Sequence, residues 1–132
     1  MKKLVATAMA TLMLAGGALA ERYVVITHTQ GTDPFWPVVE KGAKDAAAAI
    51  GAEIEYNFDA SGDMAGMAKL IEAAAASQPD GIVVSLPDAA ALGTAIKAAA
   101  DAGIPVITMN SGLESSKEVG ALMHVGQPEY DA

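Results

Sequence analysis

Residues 78–112, QPDGIVVSLPDAAALGTAIKAAADAGIPVITMNSG, constrain the fold more than any other stretch, because they spell one complete strand, helix and strand. The β-branched run Gly81-Ile82-Val83-Val84-Ser85 lies between Pro79-Asp80 and Pro87-Asp88, the pattern of a parallel strand buried on both faces. Asp88 is placed to cap a helix, since its carboxylate can accept the free N–H groups of a first turn. Leu92, Ile96, Ala99 and Gly103 then follow at spacings that draw one stripe down that helix. Gly103 ends it. Residues 104–109, IPVITM, read as the next strand, with Pro105 near its start, where a missing ladder donor does little harm. The crossover between two such strands is right-handed. Both strands run into polar residues, and that suits a small-molecule site.

The rest of the chain repeats this alternation. Residues 22–27, RYVVIT, are the first strand. In residues 52–58, Ile54, Tyr56 and Phe58 alternate with Glu53, Glu55 and Asn57, as in a strand near a sheet edge. Val39, Ala43, Ala46 and Ile50 stripe the helix between these two strands. Asp63 caps a further helix whose inner side is Met64, Met67, Ala68, Ile71 and Ala75. Residues 119–125 read as a fifth short strand, and a polar loop at 110–117 stands where a last helix would be. The expected fold is α/β, a doubly wound parallel sheet with alanine-rich helices covering both faces. In such a sheet the ligand crevice lies beyond the carboxyl ends of the strands, which here means residues 28–36, 59–63, 85–88, 110–112 and 126–129.

The first 20 residues have the composition of a secretory signal. Lys2 and Lys3 precede an apolar run from Leu4 to Leu14, and Gly16-Gly17-Ala18-Leu19-Ala20 supplies the small residues that a signal peptidase needs. The run is short of the roughly 20 residues of a bilayer span, so the expectation is cleavage after Ala20, no direct membrane insertion afterwards, and a periplasmic location. The chain has no cysteine, which excludes a lipid anchor and any disulfide. Without Lys2 and Lys3 the remaining residues carry 6 basic and 16 acidic side chains, a net charge of −10. Nucleic acid is an improbable partner for such a surface, because phosphate backbones need clustered Lys and Arg. The acidic excess serves solubility. The residues after Ala20 suffice for one domain and leave no room for a second.

Among candidate site residues, Asp33-Pro34-Phe35-Trp36-Pro37 is the sharpest local signal: two adjacent aromatic rings fenced by prolines at the mouth of the first strand. Pro37 stiffens this first helical turn, and at least one ring can face the crevice and stack on the C–H face of a sugar ring. The alternative is that both rings close the core. Asp33 either caps the helix or accepts sugar hydroxyls. Asn110 and Ser111 emerge where the IPVITM strand ends, and an amide offers a hydroxyl both a donor and an acceptor. A simple Asn-Ser-Gly turn is the other reading. Gln127 offers the same amide chemistry beside Gly126. Ser85 and Asp88 are weaker candidates, Asp88 having a sufficient role as a cap. His28 and His124 each end a strand, but no metal-ligand spacing accompanies them, and a structural hydrogen-bonding role is preferred. The motifs GxSxG, GxxxxGK[ST] and GxGxxG are absent. No catalytic residue, no metal and no cofactor is expected, and the chain does not read as an enzyme.

The segments DPFW, PDGIVVSLPD, AGIPVITMNSG and HVGQPEYDA, in this order behind a secretory signal, resemble the type I periplasmic sugar-binding proteins, the ribose-binding-like substrate receptors of ABC transporters. The resemblance covers nearly all of the chain after Ala20. It implies one amino-terminal lobe over residues 21–125, and over residues 126–132 a hinge and the start of a second lobe that is missing here. Asp33, Phe35 and Trp36 match the family's sugar-stacking turn. Asn110 and Ser111 match a polar pair that is often Asp-Arg, so the guanidinium is lost and the identity of the ligand is open. Gln127 matches a polar residue at the first crossing between lobes. The implied function is non-covalent binding of a monosaccharide or polyol for an ABC-type transporter, whose membrane permease is the partner of the full-length form. The family clamps its ligand between two lobes, so a single lobe, as in a truncated product, is expected to bind weakly. Two readings compete: a self-sufficient flavodoxin-like enzyme or signalling domain using Asp59 or Asp88, and an inactive fragment.

Overall fold

The computed structural model describes residues 20–28 and 33–126. The elements are β1 (Arg22–Thr27), α1 (Phe35–Ile50), β2 (Glu53–Phe58), α2 (Met64–Ala76), β3 (Gly81–Ser85), α3 (Ala89–Asp101), β4 (Val106–Asn110) and β5 (Met123–Gly126). The five strands form one parallel sheet in the order β2-β1-β3-β4-β5. The expected α/β, doubly wound parallel fold is therefore present.

The order follows from the direction of each crossover. The chain leaves β1 one way to reach β2, and then returns across β1 to reach β3. Right-handed connections thus put α1 on one face of the sheet and α2 and α3 on the other. The face under α2 and α3 is the main core. Val24, Ile26, Ile82, Val84 and Val106 project from the sheet into Met67, Ile71, Ala74, Leu92, Ala95, Ile96 and Ala99. Each Leu or Ile buried there stabilises the fold by about 1.5–3 kcal/mol. The alanines let the two helices sit close to the strands and to each other. Asp63 accepts the N–H groups of Ala65 and Gly66, and Asp88 those of Ala90 and Ala91. Both predicted caps form, each contributing about 1 kcal/mol.

The other face departs from expectation. A helix with its side chains is about 10–12 Å across, whereas five strands spaced by about 4.8 Å are roughly twice as wide. Among the described residues α1 alone covers this face, and it reaches mainly the β1 and β2 side. Coverage of both faces is thus incomplete: Met123 and Val125 on β5 are exposed and Val83, Ile107 and Met109 only half-buried. The inner stripe of α1 is also shifted. Trp36 and Ala47 are buried and Val39 and Ala43 half-buried, whereas Ala46 and Ile50 are exposed. Trp36 and Ala47 turn the inner face away from Ala46. Ile50 is the last helical residue, and Gly51 turns the chain there at φ 71°. The fifth strand starts later than its β-branched residues suggest. Val119 is buried in the core, but from a run of turns closed by Gly120 at φ 80°, a conformation that suits glycine. Ladder pairing resumes when the Leu122 N–H donates to the Val106 carbonyl at 2.8 Å.

The two apolar faces predict opposite responses to truncation. Ile96→Ala, at a fully buried position, should cost about 2–5 kcal/mol in a urea melt. Ile50→Ala, at a residue 69% exposed, should fall within about 0.5 kcal/mol of the parent.

Candidate ligand-binding site

A cleft of about 460 Å³ opens at the carboxyl ends of the strands, a volume within the usual range for small-molecule sites. Phe35, Trp36 and Val39 of α1 form one wall, and Met109, Asn110, Val125 and Gly126 at the ends of β4 and β5 form the other. Three of the residues singled out from the sequence, Phe35, Trp36 and Asn110, are thereby brought into one site from positions more than 70 residues apart. Among the described residues no charged side chain lines it.

The aromatic wall is built by the start of α1. Pro34 precedes the helix without a side-chain cap. Instead the Asp33 carboxylate accepts the Phe35 N–H at 2.8 Å, which fixes the entry of the chain into the helix. Trp36 is 5% exposed and Phe35 48% exposed. Their rings meet edge to face with centroids 5.0 Å apart, and His28 also meets Trp36 edge to face, at 5.0 Å and 79°. Phe35 is thus the ring more open to solvent, and Trp36 is held between two neighbours.

The polar wall is a strained turn. Asn110 has φ 63°, and the Ser111 N–H donates back to the Met109 carbonyl at 2.8 Å, a three-residue γ-turn of the rarer hand. Asparagine tolerates positive φ better than other residues with a side chain, and strain of this kind collects at ligand sites. The turn brings Asn110 to the cleft. The Ser111 carbonyl accepts the Leu86 N–H at 3.3 Å, tying β4 to β3. Its hydroxyl is buried without a partner among the described residues, and Ser111 does not line the cleft. Gly112 has φ 87°, and a Cβ there would lie within 2.7 Å of Leu86, so only glycine fits after the turn. Gln127 lies outside the described residues.

The remaining strand-end groups are committed elsewhere. The Asp59 carboxylate accepts the Ser61 N–H at 2.8 Å and also the Ser61 hydroxyl. The hydroxyl first, then the main-chain N–H, holds its pKa below the usual carboxylate value. Asp88 is occupied by its cap. His28 and Ser85, singled out only weakly from the sequence, prove to be a pair: the His28 ring Nδ1 is 2.7 Å from the Ser85 Oγ. His124 pairs separately, its Nδ1 3.0 Å from the Thr108 Oγ1. Met109 and Val125 read in the sequence as ordinary strand residues. Only the incomplete cover over β4 and β5 makes them cleft walls.

An open parallel sheet with a neutral, aromatic-lined cleft beyond its strand ends is a ligand-binding lobe of the type I periplasmic kind. The chain belongs to the periplasmic binding protein domain family, whose model matches residues 23–132. Among solved structures it is similar to a carbohydrate transporter of Acidothermus cellulolyticus 11B in complex with myo-inositol, with 43% identity and a TM-score of 0.80 over 84% of this chain and 38% of that one. It is also similar to the sugar-binding protein of a Bacillus halodurans sugar ABC transporter, with 33% identity and a TM-score of 0.75 over 84% and 37%. The arabinose-binding protein AraP of Geobacillus stearothermophilus is 31% identical, with a TM-score of 0.75 over 86% and 38%. The chain thus spans under two fifths of the length of these structures. No curated protein matches it.

Substitutions at Asn110 separate backbone strain from loss of the amide. Asn110→Ala should destabilise the fold by about 1 kcal/mol because alanine resists positive φ. Asn110→Gly should not, and both should weaken ligand binding equally. Chemical denaturation paired with ligand titration reads the two effects apart.

Proposed function

We propose that this chain supplies ligand-holding groups of the periplasmic substrate-binding component of an ABC-type sugar transporter, and that its ligand is a neutral monosaccharide or polyol. The observation that carries the proposal is the composition of the cleft: an exposed Phe35, Trp36 and the polar Asn110, with no charged side chain among the described residues that line it. Aromatic rings suit the C–H face of a sugar, and an amide both donates to and accepts from hydroxyls. A carboxylate or amine ligand would demand a counter-charge that the described residues of these walls do not offer. The myo-inositol in the Acidothermus complex and the description of AraP as an arabinose-binding protein favour the same class.

In this reading Phe35 stacks on the ligand, Trp36 backs it and Asn110 binds a hydroxyl. Asp33 sets the turn that aims both rings, Ser111 follows Asn110 in the polar pair, and Gln127 joins from the crossing that begins at residue 126. Residues 21–125 are one lobe of a clamp, residues 126–132 enter the hinge, and the permease reads the closed form. Residues 1–20 are the signal peptide, so the receptor works in the periplasm. It carries out no covalent chemistry. A signalling or enzymatic domain would need a free carboxylate at the strand ends, and Asp59 and Asp88 are held in a turn and a cap.

Two measurements test the reading. Calorimetric titration of the complete polypeptide with a panel of pentoses, hexoses and inositols should give saturable binding, and Phe35→Ala should weaken it by at least about tenfold, or about 1.4 kcal/mol, while leaving the fold intact. Binding of acidic sugars alone, or of no member of the panel, would refute it. Mass spectrometry of the exported protein should find Glu21 as the first residue.

A further inference from the structure

The groups that stand behind the aromatic wall form a chain of contacts that the proposed function does not use. Strand β1 pairs with β3, Ile26 lying opposite Val84, so the residue just past β1 meets the last residue of β3. That residue is His28, and its main-chain N–H donates to the Ser85 Oγ at 3.0 Å while its ring Nδ1 lies 2.7 Å from the same oxygen. Ser85 is fully buried. A serine hydroxyl has a single hydrogen, and once the main-chain N–H has taken one lone pair, that hydrogen needs an acceptor. The Nδ1 lone pair lies within reach to accept it. The geometry thus selects the neutral ring with its proton on Nε2.

On its other side the His28 ring meets Trp36 edge to face, and Trp36 in turn meets Phe35 in the same manner. Ser85, His28, Trp36 and Phe35 therefore run in sequence from the buried end of β3 to the cleft. We propose that His28 is a positioning residue for Trp36, whose neutral ring, anchored by the Ser85 hydroxyl, braces the aromatic wall and whose protonation releases it, so that ligand binding depends on pH. This inference rests on the sugar-binding reading of the cleft.

Protonation would put a hydrogen on Nδ1, facing an oxygen that already receives the His28 main-chain donor, and would leave the Ser85 hydrogen buried without an acceptor among the described residues. The charged ring must then turn toward water, and Trp36 loses its support. Burial lowers the His28 pKa from its ordinary 6.5, and the Asp33 carboxylate, from the turn ahead of α1, opposes this more weakly. Among the described residues the groups facing it from the other packed elements are Ser85 of β3 and Trp36 of α1, both uncharged. Because the folded value is depressed, the brace and its contribution to stability are complete above about pH 6.5 and are lost as the pH falls through the folded pKa.

The test is a pH series on the complete polypeptide, with three readouts. Nitrogen-15 NMR of the His28 ring should show the Nε2–H tautomer and a midpoint below 6.5, and Ser85→Ala should raise that midpoint. Emission from Trp36, the only tryptophan of the 132 residues, should change with the same midpoint, and the change should vanish in His28→Gln. Affinity for the best-bound polyol should fall at least about fivefold between pH 7.5 and pH 5, and saturating ligand should by linkage push the His28 midpoint lower still. An Nδ1–H tautomer overturns the proposal, as do Trp36 emission indifferent to the His28 titration and an affinity profile shared by the parent and His28→Gln. If no polyol binds at any pH, the sugar reading fails, and the ring titration and Trp36 emission decide the brace alone. The parent protein yields both, so a His28 variant that fails to fold leaves the test standing.

Discussion

The pairing of β1 with both β2 and β3 is the constraint on which the rest of the structure depends. The chain steps from β1 to the neighbour on one side and then crosses back over β1 to the neighbour on the other, so with both crossovers right-handed α1 and α2 lie on opposite faces. At that reversal the loops following β1 and β3 diverge, and a crevice is left at the carboxyl edge. The turn carrying Phe35 and Trp36 leaves β1, and Ser85 closes β3. The aromatic wall and its support therefore sit at this edge for topological reasons, before any side chain is chosen.

The two faces of the sheet divide the labour of stability and binding. Beneath α2 and α3, branched aliphatic side chains and alanines pack into one continuous core, and burial there supplies most of the stabilisation. Beneath α1 the packing is thinner. Among the described residues the half of that face formed by β4 and β5 stays partly open, and the opening runs into the cleft between Trp36 and Val125. Apolar residues with little cover are costly in water, and a ligand with an apolar face gains by covering them. The strain at Asn110 belongs to the same exchange. A γ-turn of unfavoured hand places Asn110 at the cleft and is held from behind by the bond between the Leu86 N–H and the Ser111 carbonyl.

Much of this was legible in the chain as written. The residues themselves dictated the strands around Val24, Ile54, Ile82 and Ile107, the caps at Asp63 and Asp88, and the inner stripes of α2 and α3, and they pointed to the strand-end edge where Phe35, Trp36 and Asn110 line a cleft. These are local properties: β-branched runs, capping carboxylates and helical spacing act over a few residues, and strand direction follows from the alternation of elements. The tertiary structure decided the rest, because it depends on partners distant in sequence. It set the phase of α1, where Trp36 and Ala47 rather than Ile50 face inward, and it delayed β5 until after Gly120. It made Met109 and Val125 into cleft walls by leaving part of one face open. It also gave His28 a role that nothing in its neighbours announces, since Ser85 lies 57 residues away and only the β1 to β3 register brings the hydroxyl to the ring.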